Sequence, residues 1–245
     1  MTQPEIDIRR AWREIAGHHH DGYVDDLLAR YREPHRRYHT ATHIMWVLRH
    51  LHDIATAAAT APSAELLAAA LYHDAIYDPR ATNNEELSAA LAMADLAEVG
   101  WTAEPCLAVE SLIVATAGHI APDVGAGEGA DTDAGEGADT DAGKSAGDGA
   151  SSMAMFLDAD LAILGAEPGV YQAYVHGVRA EYAHVDDDHW RSGRAAVLQH
   201  FLDRPRLFVT EFMYTAREHR ARANIEAELA ALAAPRSWGQ GGLID

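Results

Sequence analysis

Apolar residues recur along most of the chain at the spacing of an amphipathic helix. One stripe follows the i, i+3, i+4, i+7 rule at Ile44, Val47, Leu48 and Leu51. A similar stripe follows Pro168, a residue that suits the first turn of a helix. Alternation typical of a strand is nearly absent, and the RLFVT run at 206–210 is too short to set a fold class. The pattern therefore predicts an all-α protein.

Capping residues mark both ends of one predicted helix. Asn83 stands at its N-cap, Glu86 follows three residues later as the capping-box partner, and Gly100 provides the stop. Further helical segments are predicted over 5–31, 63–77, 103–117, 153–164, 187–202 and 211–233. The histidines of GHHHDGY, at 17–23, fall at a predicted helix junction, where we expect them to be solvated.

Residues 121–150 differ from the rest of the chain. The octapeptide GEGADTDA occurs at 127–134 and again at 135–142, and the window contains eight glycines. Such a segment buries too little apolar surface to offset the entropy lost on ordering. The sequence therefore predicts a disordered, acidic Gly/Ala/Asp loop insertion at 121–150. It is set into one helical domain over 1–234, and a flexible tail follows at 235–245.

The charge balance and the lack of long apolar runs limit the classes of partner. The chain has a formal net charge of −19, and eight acidic residues against Lys144 place −7 of it in the insertion. This balance argues against a nucleic-acid polymer or an anionic membrane as partner. No apolar run reaches the roughly 18–20 residues that span a bilayer, and the first twelve residues lack the apolar core of a secretion signal. With Cys106 as the single cysteine, these features predict a cytoplasmic protein.

The first candidate for chemistry is a group of three histidines in RRYHTATHIMWVLRH. His39 and His43 are four residues apart, a spacing that puts both rings on one face of a helix. His50 lies about 10.5 Å further along that axis than His43. Because Zn–N bonds are about 2.1 Å long, one ion cannot be reached by both. Alternatively, the pair at 39 and 43 is structural or solvated.

Two further motifs place carboxylates among apolar residues. His73 and Asp74 are consecutive in AAALYHDAIYD, and Asp158 and Asp160 lie in MFLDADLAILG. An unpaired buried carboxylate is costly, so each aspartate needs a cation, a metal ion or strong donors. The alternatives are a salt bridge from Asp74 to an arginine, and a helix N-cap role for Asp158. Taken in order, a histidine, a His-Asp pair and a distal aspartate supply a mixed metal site with positions left open for water and substrate.

The motifs resemble those of the HD superfamily of metal-dependent phosphohydrolases, whose ordered signature is H…HD…D. YHTATH, LYHDAIYD, NNEELSA and FLDADLAILG resemble in particular a bacterial branch described as predicted HD-superfamily phosphohydrolases. The likeness runs from about residue 8 to 233, apart from the insertion. It implies an HD-domain-like helical bundle that binds a divalent ion, either Mn, Mg, Fe, Co, Ni or Zn. The implied ligands are His43, His73, Asp74 and Asp160, and Asp160 is preferred because ADL at 159–161 matches the relatives.

The chain is also similar to the cyclic-nucleotide phosphodiesterases, which share the superfamily core. Their Tyr-His-Asn-x-x-His motif resembles the segment 38–43, and this likeness implies that His39 donates a proton to the leaving oxygen. Those enzymes continue HD-x-x-His, whereas this chain has Tyr77 at the last position. The difference argues against a cyclic-nucleotide substrate and against a tightly held second metal.

The implied function is hydrolysis of a phosphate ester or anhydride of a small molecule, nucleotides included, with Asp74 or Asp160 orienting the water. One alternative is a catalytically silent HD-type domain that binds a nucleotide or a protein partner. Another is an HD-fold di-iron oxygenase, which needs further ligands. The substrate and any homo-oligomeric state stay open. Weaker site candidates are Asp78, Glu85, Glu86, His119, Arg179 and Arg222.

Overall fold

The computed structural model describes residues 1–118 and 142–234. Over these residues it contains ten α-helices and no strand, which confirms the all-α prediction for this part of the chain. The helices are α1 Gln3–Ala16, α2 Asp21–Arg30, α3 Ala41–Ala57, α4 Ala64–Tyr72, α5 Asn84–Glu98, α6 Ala103–Ala115, α7 Ala142–Asp160, α8 Pro168–Glu181, α9 Asp187–Leu202 and α10 Glu211–Ala233. Short 3₁₀ segments follow α1 at His18–His20 and α7 at Leu161–Gly165.

Several predicted boundaries agree with the observed ones. The helices α9 and α10 have the predicted bounds, and α8 begins at Pro168 as expected. Asn83 is the N-cap of α5, although its side chain makes no capping hydrogen bond. Gly100 has a φ of 94°, a left-handed conformation that glycine adopts without strain and that ends the helix.

Other boundaries differ from the prediction. The predicted 5–31 segment is broken at Gly17, which has a φ of 73°. The predicted 63–77 helix ends at Tyr72, and the predicted helix at 153–164 begins earlier, at Ala142. The predicted insertion lies outside the described residues up to 141, and helix α7 begins within the remaining part of it, at Ala142. Extending a formed helix adds one hydrogen bond per residue, so packed turns at 151–160 can propagate backwards. The predicted tail at 235–245 lies outside the described residues.

Helix α3 occupies the centre of the packing. It contacts α1, α4, α7 and α10, and its inward face is formed by buried apolar residues such as Ile44, Leu48 and Leu51. Burying this face against four neighbours removes apolar surface from water, which is the main stabilising term in folding. None of the described helices combines the length and the apolar character needed to cross a bilayer.

Asp158 lies inside α7 and links it to the start of α10. Its side chain is 1% exposed. The carboxylate accepts hydrogen bonds from the backbone N–H of Val209 (2.8 Å), and from the N–H and the hydroxyl of Thr210 (2.7 and 2.6 Å). The prediction that Asp158 caps the short helix that follows it is therefore wrong. The carboxylate oxygens of Asp158 instead accept from a loop that begins 51 residues further along the chain.

We expect Asp158→Ala to lower the free energy of unfolding by about 2–4 kcal/mol, because two backbone N–H groups and the Thr210 hydroxyl lose a buried acceptor. Urea denaturation of both proteins measures this difference. Asp26→Ala, on the exposed surface of α2, is the matched control, and we expect its change to stay within about 0.5 kcal/mol. Equal unfolding midpoints for wild type and Asp158→Ala would contradict the assigned role.

Candidate metal centre

Three elements deliver polar side chains to one point beside the core. His43 lies in the first turn of α3, and Asp160 is the last residue of α7. His73 is the C-cap of α4, and Asp74 follows it in a turn. The predicted helix 63–77 had placed the last two inside a helix. Their position just beyond its end lets both side chains turn towards α3 and α7.

The four side chains approach one another closely. The Nε2 atom of His43 lies 3.1 Å from Nε2 of His73, 3.4 Å from Oδ2 of Asp74 and 3.2 Å from Oδ1 of Asp160. From Nε2 of His73, the distances to the same two carboxylate oxygens are 3.3 and 3.6 Å. Both histidines are buried, at 6% and 2% exposure. The structure thus brings together all four predicted ligands.

The donor types and four of these five distances fit one divalent ion, and the fifth, from His73 to Asp160, is slightly longer at 3.6 Å. Ligand atoms that lie about 2.1 Å from an ion in octahedral or tetrahedral geometry are about 3.0–3.4 Å apart. Imidazole nitrogens together with carboxylate oxygens suit Mn²⁺, Fe²⁺, Co²⁺, Ni²⁺ and Zn²⁺. Among the described residues, His43, His73 and Asp160 form the group whose ligand atoms all lie within 4.8 Å of one another. Asp74 is not a member of that three-residue group, although its Oδ2 atom contacts both histidines.

The electrostatics of the cluster favour a cation. Burial disfavours charge on His73, but Asp74 and Asp160 outweigh it and raise the pKa of His73 well above its usual value. The pKa of His43 is raised by the same two carboxylates against the effect of burial. Burial also opposes ionisation of Asp74, yet the neighbouring histidines hold the pKa of Asp74 well below its usual value. A metal ion would therefore compete with protons for these ligands.

His39 does not lie on α3, so the expectation of one shared helical face for His39 and His43 is wrong. Thr40 is the N-cap of α3, and its side chain accepts a hydrogen bond from the N–H of Thr42. This cap leaves His39 in the preceding loop. The rings of His39 and His43 nevertheless lie 5.9 Å apart, centroid to centroid.

Glu181, the last residue of α8, holds the loop that carries His39. One carboxylate oxygen accepts hydrogen bonds from the backbone N–H groups of Arg37 (2.6 Å), Tyr38 (2.8 Å) and His39 (3.0 Å). The other lies 2.7 Å from Nδ1 of His39 and accepts from the hydroxyl of Tyr77 at 3.0 Å. Burial opposes ionisation, but these hydrogen bonds, led by that of His39, lower the pKa of Glu181 to about 2.

Arg36 ties the same loop to Asp74. Its buried guanidinium donates to the backbone carbonyls of His39 (3.0 Å), Asp74 (2.8 Å) and Ala75 (3.1 Å). Sequence reasoning missed both Arg36 and Glu181. In the sequence, each is a charged residue close to apolar positions. Many surface residues share that pattern, so it does not single out Arg36 or Glu181.

Other predicted candidates lie elsewhere. Arg179 donates to the carbonyls of Tyr182 and Val185 and pairs with Asp187, so it closes the end of α8. Arg222 pairs with Glu218 and donates to carbonyls of the loop 202–205. The predicted phosphate-contact roles of these two arginines have no support in these positions.

Asp78 does not reach the ligand histidines. Its carboxylate accepts from the N–H of Arg80, and Nδ1 of His73 instead lies 3.2 Å from the carbonyl of Ala70. His50 stacks on Trp46, with the ring centroids 5.9 Å apart, and is not among the clustered ligands, as its axial distance predicted. His119 lies outside the described residues.

The cluster opens into a cavity of about 680 Å³. His39, Asp74 and Tyr77 line it, and so does Glu85, one of the weaker sequence candidates. This volume falls in the range of about 300–1,000 Å³ that small-molecule sites occupy. The arrangement therefore combines a possible ion site, an imidazole outside the ligand set and space for a small substrate.

No model of a protein family, no curated protein and no solved structure matches this chain. Membership of the HD superfamily and its bundle therefore stays a prediction from the motifs. The geometry described above is the independent basis for a functional proposal.

We expect the purified protein to bind about one divalent ion per chain, and His73→Ala to lose it, because one of two nitrogen ligands is removed. Equilibrium dialysis against Mn²⁺, Ni²⁺ or Zn²⁺ with elemental analysis measures this. His52→Gln is the matched control, since His52 lies on α3 and binds the carbonyl of Leu48. Equal metal content in wild type and His73→Ala would overturn the assignment of the site.

The pKa of Glu181 generates a second prediction. Its folded value of about 2 lies below the usual 4.5, so the ionised side chain stabilises the fold above pH 4.5. This contribution is lost as the pH falls towards 2. We expect the difference in unfolding free energy between wild type and Glu181→Gln to shrink over that interval. Denaturation at several pH values measures it, and a difference that stays constant would exclude the shifted pKa.

Proposed function

We propose that this protein is a metal-dependent phosphohydrolase that acts on a phosphate ester or anhydride of a small molecule. The observation that carries the proposal is the convergence of His43, His73, Asp74 and Asp160, with ligand atoms 3.1–3.6 Å apart in the contacts measured from the histidines. The motif order that resembles the HD superfamily supports the same assignment. When bound, a divalent ion supplies Lewis-acid chemistry, since it polarises a phosphoryl oxygen and lowers the pKa of water.

In this proposal His39 protonates the leaving oxygen. Its Nδ1 atom is occupied by Glu181, which leaves Nε2 as the nitrogen that can exchange a proton with a substrate. The carboxylate and the Tyr77 ring, 4.3 Å away centroid to centroid, fix the orientation of the imidazole. Glu181 and Tyr77 therefore act as positioning residues.

Asp74 has a second role besides binding the ion. Its side chain is 20% exposed, whereas those of His43 and His73 are 5% and 2% exposed. A carboxylate with one side towards the ligands and one towards the cavity can accept a hydrogen bond from the attacking water and orient it. The cavity volume and the net charge of −19 favour a small phosphorylated substrate over a nucleic-acid polymer.

The reaction is tested with a panel of phosphomonoesters, phosphodiesters and nucleotides, each assayed with Mn²⁺, Mg²⁺, Co²⁺, Ni²⁺ and Zn²⁺. Metal-dependent release of phosphate or of the alcohol supports the proposal. Nucleotide binding without turnover in every metal would favour a silent binding domain instead. Two iron atoms per chain with a di-iron spectrum would favour an oxygenase.

We expect His39→Ala to lower kcat by about 10²–10⁴-fold on an alkyl phosphate, because the leaving alkoxide then lacks its proton donor. The loss is expected to be much smaller on 4-nitrophenyl phosphate, whose leaving group needs no proton. Comparing kcat for both substrates at equal metal content separates proton donation from damage to the site. Equal losses on the two substrates would contradict the role of His39.

His176→Ala is the matched control for that comparison. His176 lies on the exposed surface of α8, the helix that ends at Glu181. We expect both rates to be unchanged in this variant.

A further inference from the structure

A second cavity, of about 540 Å³, lies against the same cluster. It shares a wall with the first cavity, and that wall is formed by Tyr38, His43, Asp160, Ile163 and Tyr174. His39, His73 and Asp74 line the first cavity but not the second. Two ligands of the candidate metal centre therefore face both cavities, while the proposed proton donor faces one.

The second cavity is lined by three arginines against two carboxylates, Asp160 and Glu167, although the chain as a whole carries a charge of −19. Arg37, Arg217 and Arg220 all line it. Arg220 pairs with Glu167, an exposed residue at the same cavity. Arg37 donates to the carbonyls of Pro34 and Arg36, which leaves its charge without a carboxylate partner among the described residues.

Arg217 is one of the arginines of this cavity that form no ion pair with a carboxylate of the described residues. Its side chain donates to the carbonyls of Ala162 (3.2 Å) and Gly165 (3.3 Å), and no carboxylate in the described ranges pairs with it. Burial and the neighbouring Arg220 lower the pKa of Arg217, and the more weakly acting carboxylates of Asp53 and Glu167 offset this only in part. Two like charges held at one cavity repel each other, and an anion placed between them would relieve that repulsion.

A close backbone contact fixes Arg217 in this place. A Cβ atom built on Gly165 would lie 2.6 Å from Cβ of Arg217 and 2.9 Å from its carbonyl oxygen. Only glycine allows α10 to approach the 3₁₀ segment this closely. The stem of Arg217 is therefore held against Gly165, and its guanidinium needs little further ordering to bind a ligand.

Apolar surface accompanies the arginines. Trp46 and Val170 line the cavity and are 48% and 54% exposed. The Trp46 ring stacks on His50, with an interplanar angle of 22°, so its orientation is constrained. Guanidinium groups beside an exposed indole match a ligand that joins an anionic group to an aromatic or apolar portion.

We propose that this second cavity binds an anionic group, a phosphate or a carboxylate, carried on an aromatic or apolar part of the ligand. Arg217 and Arg37 recognise the charge, and Trp46 contacts the apolar part. Because His43 and Asp160 face both cavities, the group belongs to the end of the substrate remote from the scissile phosphate. That last assignment rests on the proposed function, whereas anion binding itself does not.

Benzylphosphonate is a suitable probe, because it joins an aromatic ring to an anion and its C–P bond is not a phosphate ester. It is titrated calorimetrically into chelator-treated wild type, Arg217→Met, Arg37→Glu, His73→Ala and Arg10→Met. We expect affinity to fall about tenfold or more in the first two variants, the loss that follows removal of a charge-assisted hydrogen bond. Wild-type affinity is expected in His73→Ala, which does not line the cavity, and in Arg10→Met, an exposed arginine on α1.

Equal affinity of wild type, Arg217→Met and Arg37→Glu for the probe would overturn the proposal, and so would the absence of binding by wild type. Arg37→Glu keeps the test valid if Arg217→Met fails to fold, because Arg37 is exposed. If the protein binds the probe through these arginines but hydrolyses no phosphoester, the anion site is supported and the proposed function is wrong.

The substrate assignment is tested with a matched pair of esters, benzyl phosphate and 4-carboxybenzyl phosphate. We expect the kcat/KM of wild type to be higher for the carboxylated ester. In Arg217→Met we expect this ratio of kcat/KM values to fall about tenfold, because KM for the carboxylated ester rises. An unchanged preference in a variant that still hydrolyses both esters would overturn the substrate assignment.

Discussion

The candidate site depends on one buried cation, the guanidinium of Arg36. Arg36 is 3% exposed, and a charge removed from water is costly unless its donors are satisfied. Its donors bind Glu33 and the carbonyls of His39, Asp74 and Ala75. Since those carbonyls belong to two loops far apart in sequence, satisfying Arg36 fixes the loop before α3 against the turn after α4. A proposed proton donor and a proposed metal ligand are thereby held together.

Glu181 secures the same loop with a charge opposite to that of Arg36. Its carboxylate accepts three consecutive backbone N–H groups, while Arg36 binds carbonyls of that loop and of the neighbouring turn. Gly177 lets α8 approach, because a Cβ there would lie 3.2 Å from Cβ of Tyr38. The loop needs such support, since residues outside a helix have no neighbouring turn to satisfy their backbone. Both cavities are lined in part by side chains of this supported loop.

Predictions from the sequence succeeded where the signal was local. Helices α9 and α10 had the expected bounds, because the N-caps Asp186 and Thr210 lie directly before them. The predicted stop at Gly100 likewise follows from glycine conformation, and so does the break at Gly17, which the predicted 5–31 segment missed. Local reasoning was wrong about His39 and about Asp158. For Asp158 the deciding partner, the loop at 209–210, lies far along the chain. His39 is placed outside α3 by the adjacent N-cap Thr40, and Glu181 then holds its side chain.

The sequence by itself determined an all-α fold for the described residues, most helix positions and the four residues proposed as ligands. Helical periodicity is a property of neighbouring residues, and the four ligand candidates follow from motifs that resemble those of a known superfamily, so both can be read without a structure. Tertiary packing alone decided that those four side chains approach one another and that three arginines line a second cavity. These outcomes depend on how helix ends pack and on which buried charges satisfy each other across long sequence separations, and no local pattern carries that information.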